Sequence, residues 1–534
     1  MFTVESRKPL RMISSLMLLV VLFTVVPTVR SSAAIVPDNP QVTIISAQPV
    51  GSGYLEVQAT MSGMVVREDR SQGTYKVPIT LLYPQDASMC NGSALVDVVN
   101  SVFYETYDFV GTQNDPFFPS LFPIGRLTLG DAFIQEHGYV YAQAQWSKLV
   151  LERQRSAGTL SDPTLHINEG PDGYAILRDL SAFLRSPAGS MNGPESLPCA
   201  ADNVIAFGYS QTGMLLRQFY FAGLNTEMVN SSVFDDGLVF EGSLHATPGG
   251  RCRGLTDQAP WYLYSYKDCT GATPKSQGKV ITFNTETDVQ LINGWKARSE
   301  DSSAQKYYRL YELAGTSHIP ATLFPLKLVG IRPTEMAEQN YVDTGPVLRA
   351  MTEHLREWIE GSGEPPVNEY LQGRVDRLVT PLFTDQSWGN DNQQVYIFRL
   401  GVDGNALGGI RLPHLRTVLS GGNVVGGPLG FYRGVECNND PTESSFILDC
   451  QMGGDANIYN IVGGTFIPYA EIDPGQCSAF YDSYETYLNE VTDAVAYAVA
   501  QGWVIPEETD SIIALAAQKS QDFPGCVPNV SPDN

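Results

Sequence analysis

The chain has 534 residues, enough to bury a large core in one big domain with an addition, or in two domains. Its formal net charge is −24, with 58 acidic residues against 34 basic ones. A field of that sign repels nucleic acid and anionic membrane surfaces, so we expect neither as a partner, and the acidity itself favours solubility.

The first 34 residues have the pattern of a secretory signal peptide. Arg7, Lys8 and Arg11 precede the apolar run ISSLMLLVVLFTVV, and small residues at 32–34 offer a cleavage site. The apolar run is shorter than the roughly 20 residues that a spanning helix needs, and no later segment is long and apolar enough. We therefore predict a signal peptide at 1–34 and a secreted, extracellular protein without a stable membrane anchor.

Cysteine use agrees with export. An even number of cysteines in an exported chain predicts disulfides, although eight allow many pairings. Cys252 with Cys269, and Cys437 with Cys450, are close enough in sequence for local pairs. No cysteine spacing suggests zinc, so no metal is expected. The other cysteines are Cys90, Cys199, Cys477 and Cys526. Three N-x-S/T sequons, typical of exported glycoproteins, begin at Asn91, Asn230 and Asn529.

Strand-like and helix-like segments alternate along the first two thirds of the chain. Apolar spacing predicts helices at 130–138, at 174–185 and directly after Ser210. Strands that alternate with helices predict an α/β protein with a mostly parallel central sheet flanked by helices. Apolar and valine-rich runs predict these strands at 77–84, 93–100, 139–146, 203–208, 279–284 and 307–315.

After about residue 365 the composition changes. Glycine-rich strings such as DGNALGGIRLPH and SGGNVVGGPLG replace long helices until a helical pair at 485–503 and 506–520. None of these strings has the ending of a phosphate-binding loop, so we interpret them as turns. The mature chain is therefore divided into a core at 35–365 and a C-terminal extension at 366–534.

The stretch VIAFGYSQTG, residues 204–213, places Ser210 between an apolar strand and a helical pattern. Such a corner is typical of a nucleophile elbow, which exposes a serine above the edge of a sheet. The usual elbow reads G-x-S-x-G, whereas here Thr212 takes the second glycine's place and Gly213 follows one residue later. On this motif alone, a plain strand–turn–helix connection stays open.

A nucleophilic serine needs a base and an orienting carboxylate, which in this type of enzyme follow in the order serine, acid, histidine. Among the four histidines after Ser210, His318 lies in a glycine-containing loop directly after a predicted strand, where a base is expected. His354 lies in a helix-like segment, His245 leaves too little room for an acid, and His414 belongs to the extension.

The acid is expected at the end of the preceding strand. There KVITFN runs into TETD, which offers both Glu286 and Asp288. Either carboxylate can instead be an exposed residue at a strand end. The order strand–serine–helix, strand–acid and strand–histidine nevertheless matches at three places, which favours the elbow.

Acyl transfer also needs donors for an oxyanion. In an elbow-type enzyme these are the backbone N–H after the nucleophile, here that of Gln211, and one from the loop after the third strand. The strand at 93–100 ends at Asn100 and Ser101, which we interpret as that loop, with a plain turn as the alternative.

Several segments together give the chain a family resemblance. NVIAFGYSQTGMLLRQFYFAGLN, FNTETDV, YRLYELAGTSHIP, DGNALGGIRLPH and IVGGTFIPYAEIDP resemble the secreted alpha/beta-hydrolase-domain proteins, whose nucleophile motif reads G-x-S-Q-[ST]-G. The resemblance covers nearly all of the mature chain. It implies the alpha/beta-hydrolase fold, Ser210 as nucleophile, His318 as base and an acid in TETDV, where Asp288 matches better than Glu286. It implies ester hydrolysis and little more about the substrate.

We therefore expect a serine esterase that acts on a small-molecule or polymeric carboxylic ester through an acyl-enzyme and needs no cofactor. A peptidase or other acyl-transfer enzyme on the same residues stays an alternative, as does a non-catalytic binding protein that keeps the fold. The extension either covers the active site or only stabilises the core. The side chains considered for such a cover are Trp388, His414, Phe431 and Tyr432.

Overall fold

The protein is built around one large sheet. The computed structural model describes residues 40–67, 69–101, 124–160, 162–187, 191–192, 197–228, 237–252, 254–255, 267–268, 278–299, 302–323, 338–377, 394–419, 421–434, 463–472, 475, 480–522 and 527. The strands in this part of the chain are Gln41–Val50 (β1), Tyr54–Val66 (β2), Gln72–Pro84 (β3), Ser93–Val98 (β4), Val140–Ala144 (β5), His166–Ile167 (β6), Met191–Asn192 (β7), Asn203–Tyr209 (β8), Gly242–Ala246 (β9), Arg251–Cys252 (β10), Lys267–Asp268 (β11), Lys279–Thr285 (β12), Tyr308–Leu313 (β13), Gly373–Arg377 (β14), Gln394–Phe398 (β15), Thr417–Val418 (β16), Val424–Val425 (β17), Gly430–Arg433 (β18) and Thr465–Pro468 (β19).

The strand order explains where a site can form. The main sheet runs β13-β12-β9-β8-β4-β5-β3-β2-β1-β7, and β6 pairs with β3. From β13 to β5 every neighbouring pair is parallel, whereas β1, β2 and β3 form an antiparallel ribbon. Because β8 lies between β4 and β9, the carboxyl ends of these three strands meet at one edge. The predicted mostly parallel sheet flanked by helices is confirmed.

Burial explains which strands the sequence reveals. Every residue of β4, β9 and β13 is buried, and so is all but the first residue of β8 and β12. Parallel strands covered on both faces have nearly continuous apolar sequences, which are easily recognised. The sequence did not predict β1 and β2. In β1 only Val42 is fully buried, so no apolar pattern marks it.

Helices pack against the main sheet and against the later segments of the chain. They are Ile124–Leu129 (α1), Asp131–Glu136 (α2), Lys148–Ser156 (α3), Asp172–Arg185 (α4), Gln211–Phe221 (α5), Leu224–Glu227 (α6), Glu286–Leu291 (α7), Gly345–Glu360 (α8), Tyr469–Ile472 (α9), Tyr484–Ala500 (α10) and Thr509–Asp522 (α11). Short 3-10 turns occur at Ala87–Met89, Gly294–Ala297, Ser302–Lys306 and Pro506–Glu508. The expected helices correspond to α2, α4 and α5, and the expected helical pair to α10 and α11.

The segment after residue 365 packs on the edge of the main sheet. Ile410 forms a parallel bridge with Leu313 of β13. The Ala314 N–H donates to Ile410 O at 3.0 Å, and the Ile410 N–H donates to Glu312 O at 2.8 Å. The described residues all belong to one compact unit. The extension therefore continues the packing of the sheet beyond β13.

Disulfides tie distant segments together. Cys90 pairs with Cys199, a combination that the sequence had left open among many. Cys252 is disulfide-bonded as well, and its ladder partner is Lys267, two residues before Cys269. The remaining cysteines lie outside the described residues: Cys269, Cys437, Cys450, Cys477 and Cys526. The expected signal peptide also lies outside them, as do Trp388, Asn230 and Asn529.

Among the described residues, none of the helices has the length and apolar character needed to cross a membrane.

Candidate active site

Ser210 forms the corner between β8 and α5. Its backbone has φ 55° and ψ −114°, a conformation that residues other than glycine rarely adopt. The Ser210 N–H donates to Ala246 O at 2.8 Å and to Thr247 Oγ1 at 3.0 Å. These bonds to the end of β9 hold the strained turn, and the serine side chain stays only partly buried.

The unusual glycine spacing has a steric reason. A Cβ on Gly213 would lie 2.7 Å from Ala246 O, so α5 approaches β9 too closely there for a side chain. Thr212 fits at the other glycine's place because its hydroxyl bonds the turn itself. Its Oγ1 accepts from Tyr209 N at 3.0 Å and donates to Tyr209 O at 3.1 Å. The threonine therefore braces the elbow instead of crowding it.

His318 lies in the loop after β13 and faces Ser210. Its Nε2 is 2.8 Å from Ser210 Oγ. The backbone of the loop is fixed on both sides of the ring, since the His318 N–H donates to Thr287 Oγ1 at 3.0 Å and His318 O accepts from the Tyr209 hydroxyl. Only 5 % of the residue is exposed, so the imidazole has little freedom to rotate away.

Asp288 lies in the first turn of α7 and contacts the other nitrogen of His318. Its Oδ1 is 2.6 Å from His318 Nδ1. Its Oδ2 accepts from the Thr285 N–H at 2.7 Å and from the Thr285 hydroxyl at 2.6 Å. The Asp288 N–H donates in return to Thr285 Oγ1 at 3.4 Å, and this bond together with the one from the Thr285 N–H forms a capping box. An ionised carboxylate only accepts hydrogen bonds, so the imidazole proton belongs on Nδ1 and Nε2 is left to accept a proton from the serine.

Glu286, the other carboxylate of TETD, has different partners. Its Oε2 accepts from Gly315 N at 2.7 Å, and its Oε1 accepts from Gly434 N at 3.2 Å. The interpretation of Glu286 as an exposed strand-end residue is wrong, since only 1 % of it is exposed. Burial raises the pKa of the Glu286 carboxyl, and the nearby Arg433 charge opposes that rise.

The predicted oxyanion loop contacts the elbow. Asn100 Nδ2 donates to Tyr209 O at 2.9 Å. The Ser101 N–H and hydroxyl both donate to Gln211 Oε1, at 3.0 Å and 3.2 Å. The Gln211 side chain therefore ties this loop to the nucleophile turn. An oxyanion hole formed by the backbone N–H of Gln211 and by the Asn100–Ser101 loop stays a prediction. In this structure the Ser101 N–H donates to the Gln211 side chain.

The three other histidines that follow Ser210 contact different residues. His245, on β9, is buried against Tyr220, and burial together with Arg217 lowers its pKa to about 3. His414 is buried in the extension, and burial lowers its pKa to about 4. His354 Nε2 lies 2.7 Å from Gly502 O on the surface of α8, which agrees with a packing role.

Two aromatic residues that were considered as a pocket cover are core residues. Phe431 is 5 % exposed and packs edge-on against Tyr469, with ring centroids 4.9 Å apart. Tyr432 is fully buried, and its hydroxyl is 2.7 Å from that of Tyr341. Their contacts agree with the stabilising alternative.

Sequence reasoning missed the residues that support this arrangement. Thr285 and Thr287 alternate with the two carboxylates in TETD, and the capping pattern of Thr285 with Asp288 is a signal that the sequence contains. Thr247 follows β9 without any motif. Gly434 follows Thr287 by 147 positions, and nothing local connects the two residues.

A partly exposed hydroxyl, an imidazole and a buried carboxylate, joined by two short contacts, can activate a serine for attack on a carbonyl. Among the described residues, no group of three or more His, Cys, Asp or Glu side chains could hold a metal ion. The parallel sheet with this elbow at its carboxyl edge defines an alpha/beta hydrolase. A family model described as an alpha/beta hydrolase domain matches residues 127–514, and the chain therefore belongs to that family.

Solved structures of two esterases are similar to about half of this chain. A glucuronoyl esterase from Solibacter usitatus has 11 % identity and a TM-score of 0.26, over 48 % of this chain and 70 % of the other. The rice cell wall degrading esterase LipA from Xanthomonas oryzae has 9 % identity and a TM-score of 0.26, over 51 % of this chain and 90 % of the other. A search of curated proteins finds no match. The substrates in those names belong to those two proteins.

Proposed function

We propose that the protein is a secreted serine hydrolase that cleaves carboxylic esters through an acyl-enzyme. The observation that carries the proposal is the continuous contact from Ser210 Oγ through His318 to Asp288, with steps of 2.8 Å and 2.6 Å. Membership of the alpha/beta hydrolase family supports the reaction class. The Cys90–Cys199 disulfide supports export, because disulfides persist in oxidising compartments.

The proposed reaction has two halves. Ser210 Oγ attacks the ester carbonyl while His318 Nε2 takes its proton, and Asp288 stabilises the imidazolium that results. The tetrahedral oxyanion accepts hydrogen bonds from the Gln211 backbone N–H and from the Asn100–Ser101 loop. His318 gives its proton to the leaving alcohol. Water, deprotonated by His318, then attacks the acyl-enzyme, and collapse of the second intermediate releases the acid and the serine.

The test begins with a fluorophosphonate probe on the secreted protein. We expect one covalent adduct, mapped to Ser210 by mass spectrometry and absent in Ser210→Ala. Ser156→Ala, on the exposed end of α3, is the matched control and should label like the wild type. Wild-type protein that does not react with the probe would favour a non-catalytic binding protein.

Substrate panels separate the remaining alternatives. Matched ester and amide substrates with the same acyl group should show preferential ester cleavage. A preference for the amide would replace the esterase proposal by a peptidase on the same residues. Esters of graded acyl length, aromatic esters and polyesters then identify the acyl group that the pocket prefers. Sequencing the amino terminus of the secreted protein tests removal of residues 1–34.

A further inference from the structure

A residue of the C-terminal extension touches the helix that carries the acid. Gly434 directly follows β18, and its N–H donates to Glu286 Oε1 at 3.2 Å. Its carbonyl oxygen accepts a hydrogen bond from the Thr287 hydroxyl. The backbone N–H and the carbonyl oxygen of Gly434 therefore both bond side chains in the first turn of α7.

The approach of Gly434 is too close for any side chain. A Cβ built on it would lie 2.3 Å from Thr287 N and 2.8 Å from the carbonyl carbon of Glu286. These are backbone atoms, which cannot move aside as the end of a flexible side chain can. Glycine at this position is explained by that contact, since the residue does not have a positive φ.

The side chains of Glu286 and Thr287 also hold the loop after β13 that carries His318, which we call the histidine loop. Glu286 Oε2 accepts from Gly315 N at 2.7 Å, and Thr287 Oγ1 accepts from His318 N at 3.0 Å. Each side chain thus bonds the extension on one side and the histidine loop on the other. All the groups involved are buried, so water does not compete for these bonds.

A second link runs behind the loop. Asn340 Nδ2 donates to Gly315 O at 2.9 Å and to Arg433 O at 3.1 Å. Gly315 is therefore bonded at both its N–H and its carbonyl oxygen. Its N–H bonds Glu286, which also bonds Gly434, and its carbonyl oxygen bonds Asn340, which also bonds Arg433. Other bonds to the loop come from the Tyr209 hydroxyl, which donates to His318 O, and from Gln339 Nε2, which donates to Ile319 O at 2.9 Å.

We propose that Glu286, Thr287 and Gly434 form a catalytic brace that positions His318 relative to Ser210. They are positioning residues, since none of them touches the reacting atoms. The inference rests on the proposed function, and it gives the extension a part in catalysis without covering the pocket. Misplacing a catalytic group by about 1 Å can lower the rate about 10²-fold, which is the size of effect expected from loss of the brace.

The first experiment compares Thr287→Val with Thr287→Ser. Valine has the shape of threonine but removes the hydroxyl that accepts from His318 N and donates to Gly434 O, whereas serine keeps it. We expect Thr287→Val to lower kcat about 10²-fold with KM nearly unchanged, and Thr287→Ser to recover most of that loss. Thermal unfolding of both variants checks that each remains folded at the assay temperature.

The second experiment places the same small substitution at two crowded glycines of the extension. Gly434→Ala pushes on the backbone of α7, while Gly427→Ala meets the side chains of Tyr487 and Val491 on α10. We expect Gly434→Ala to lower kcat and Gly427→Ala to leave it unchanged. Equal losses of kcat in the two variants, in proportion to lost stability, would overturn the brace.

A spectroscopic readout keeps the brace separate from the esterase activity. The proton between His318 Nδ1 and Asp288 Oδ1 should give a low-field resonance that is lost in His318→Gln. We expect that resonance to move in Thr287→Val and Gly434→Ala but not in Thr287→Ser or Gly427→Ala. An unchanged resonance with unchanged kcat would refute the brace. If the wild type cleaves no ester but the resonance still moves in Thr287→Val and Gly434→Ala, the brace stands and only the proposed function is refuted.

Discussion

Asp288 and Glu286 begin the same short helix, yet only Asp288 contacts His318. Its Oδ1 is 2.6 Å from Nδ1 of the ring, whereas Glu286 directs its oxygens at the backbone amides of Gly315 and Gly434. Asp288 therefore contacts the imidazole ring, whereas Glu286 bonds the backbone of the loop that carries this ring.

This difference predicts unequal effects of two neutral amides. Asp288→Asn should lower turnover by roughly 10³- to 10⁴-fold, as the corresponding change does in serine proteases, because the amide favours the wrong tautomer of the imidazole. Glu286→Gln keeps one acceptor but turns an amide group towards a backbone N–H, so a loss of at most about 10²-fold is expected. Turnover of both variants in one ester assay decides the assignment. A larger loss for Glu286→Gln would make Glu286 the acid.

Removal of the nucleophile should separate folding from activity. Ser210→Ala keeps the elbow backbone, which is held by the Ser210 N–H and not by the hydroxyl. We expect normal secretion and an unchanged melting temperature, with turnover reduced about 10⁶-fold as in subtilisin. Substantial residual hydrolysis, with probe labelling at another residue, would contradict the role of Ser210.

Phe431 should matter for stability and not for substrate choice. The ring fills a buried space beside Tyr469 and Gly404, where a Cβ on the glycine would lie 2.4 Å from it. Truncation of a buried phenylalanine costs about 3 to 5 kcal/mol. We expect Phe431→Ala to lower the free energy of unfolding by about that amount in urea titrations. If relative rates among esters change instead, the extension contacts the substrate.

Two buried histidines predict a loss of stability in acid. His245 has its pKa lowered to about 3 and His414 to about 4, while an unfolded histidine titrates near 6.5. The folded state therefore binds fewer protons, and stability that is complete above pH 6.5 falls as the pH falls towards those values. At pH 5 the loss is about 2 kcal/mol for each histidine.

The measurement is urea unfolding at pH 7 and pH 5 for the wild type and for His414→Asn. The wild type should lose more stability between the two pH values than the variant does. Asp97 acts in the opposite sense, because burial raises its pKa to about 6 and the folded state then favours its protonated form. The comparison of variants removes that common contribution, and equal losses would contradict a neutral buried His414.

The sequence predicted which residues meet at the candidate site. It did not predict the hydrogen bonds that hold these residues in place. Ser210, Asp288 and His318 each follow a buried parallel strand, and such strands have apolar sequences that a reader can find. Their order along the chain then brings them to one edge. The exposed β1 gives no such pattern, and its pairing with β2 and β7 shows it to be a strand.

Long-range contacts explain most of what was missed. Cys90 and Cys199 are separated by 109 positions, and Thr287 and Gly434 by 147, so neither pair leaves a local signal. Glu286 was misread for the same reason. A carboxylate at a strand end is usually solvated, whereas Glu286 is buried and accepts hydrogen bonds from the backbones of Gly315 and Gly434.

The position of Gly434 in the chain also concerns the time at which activity can arise. Ribosomes make Ser210, Asp288 and His318 well before Gly434. A nascent chain that ends before Gly434 holds every reacting group but lacks the brace. Under the proposed mechanism, the hydrolase therefore stays weak during synthesis, and becomes fully active only when its last third has folded onto the rest.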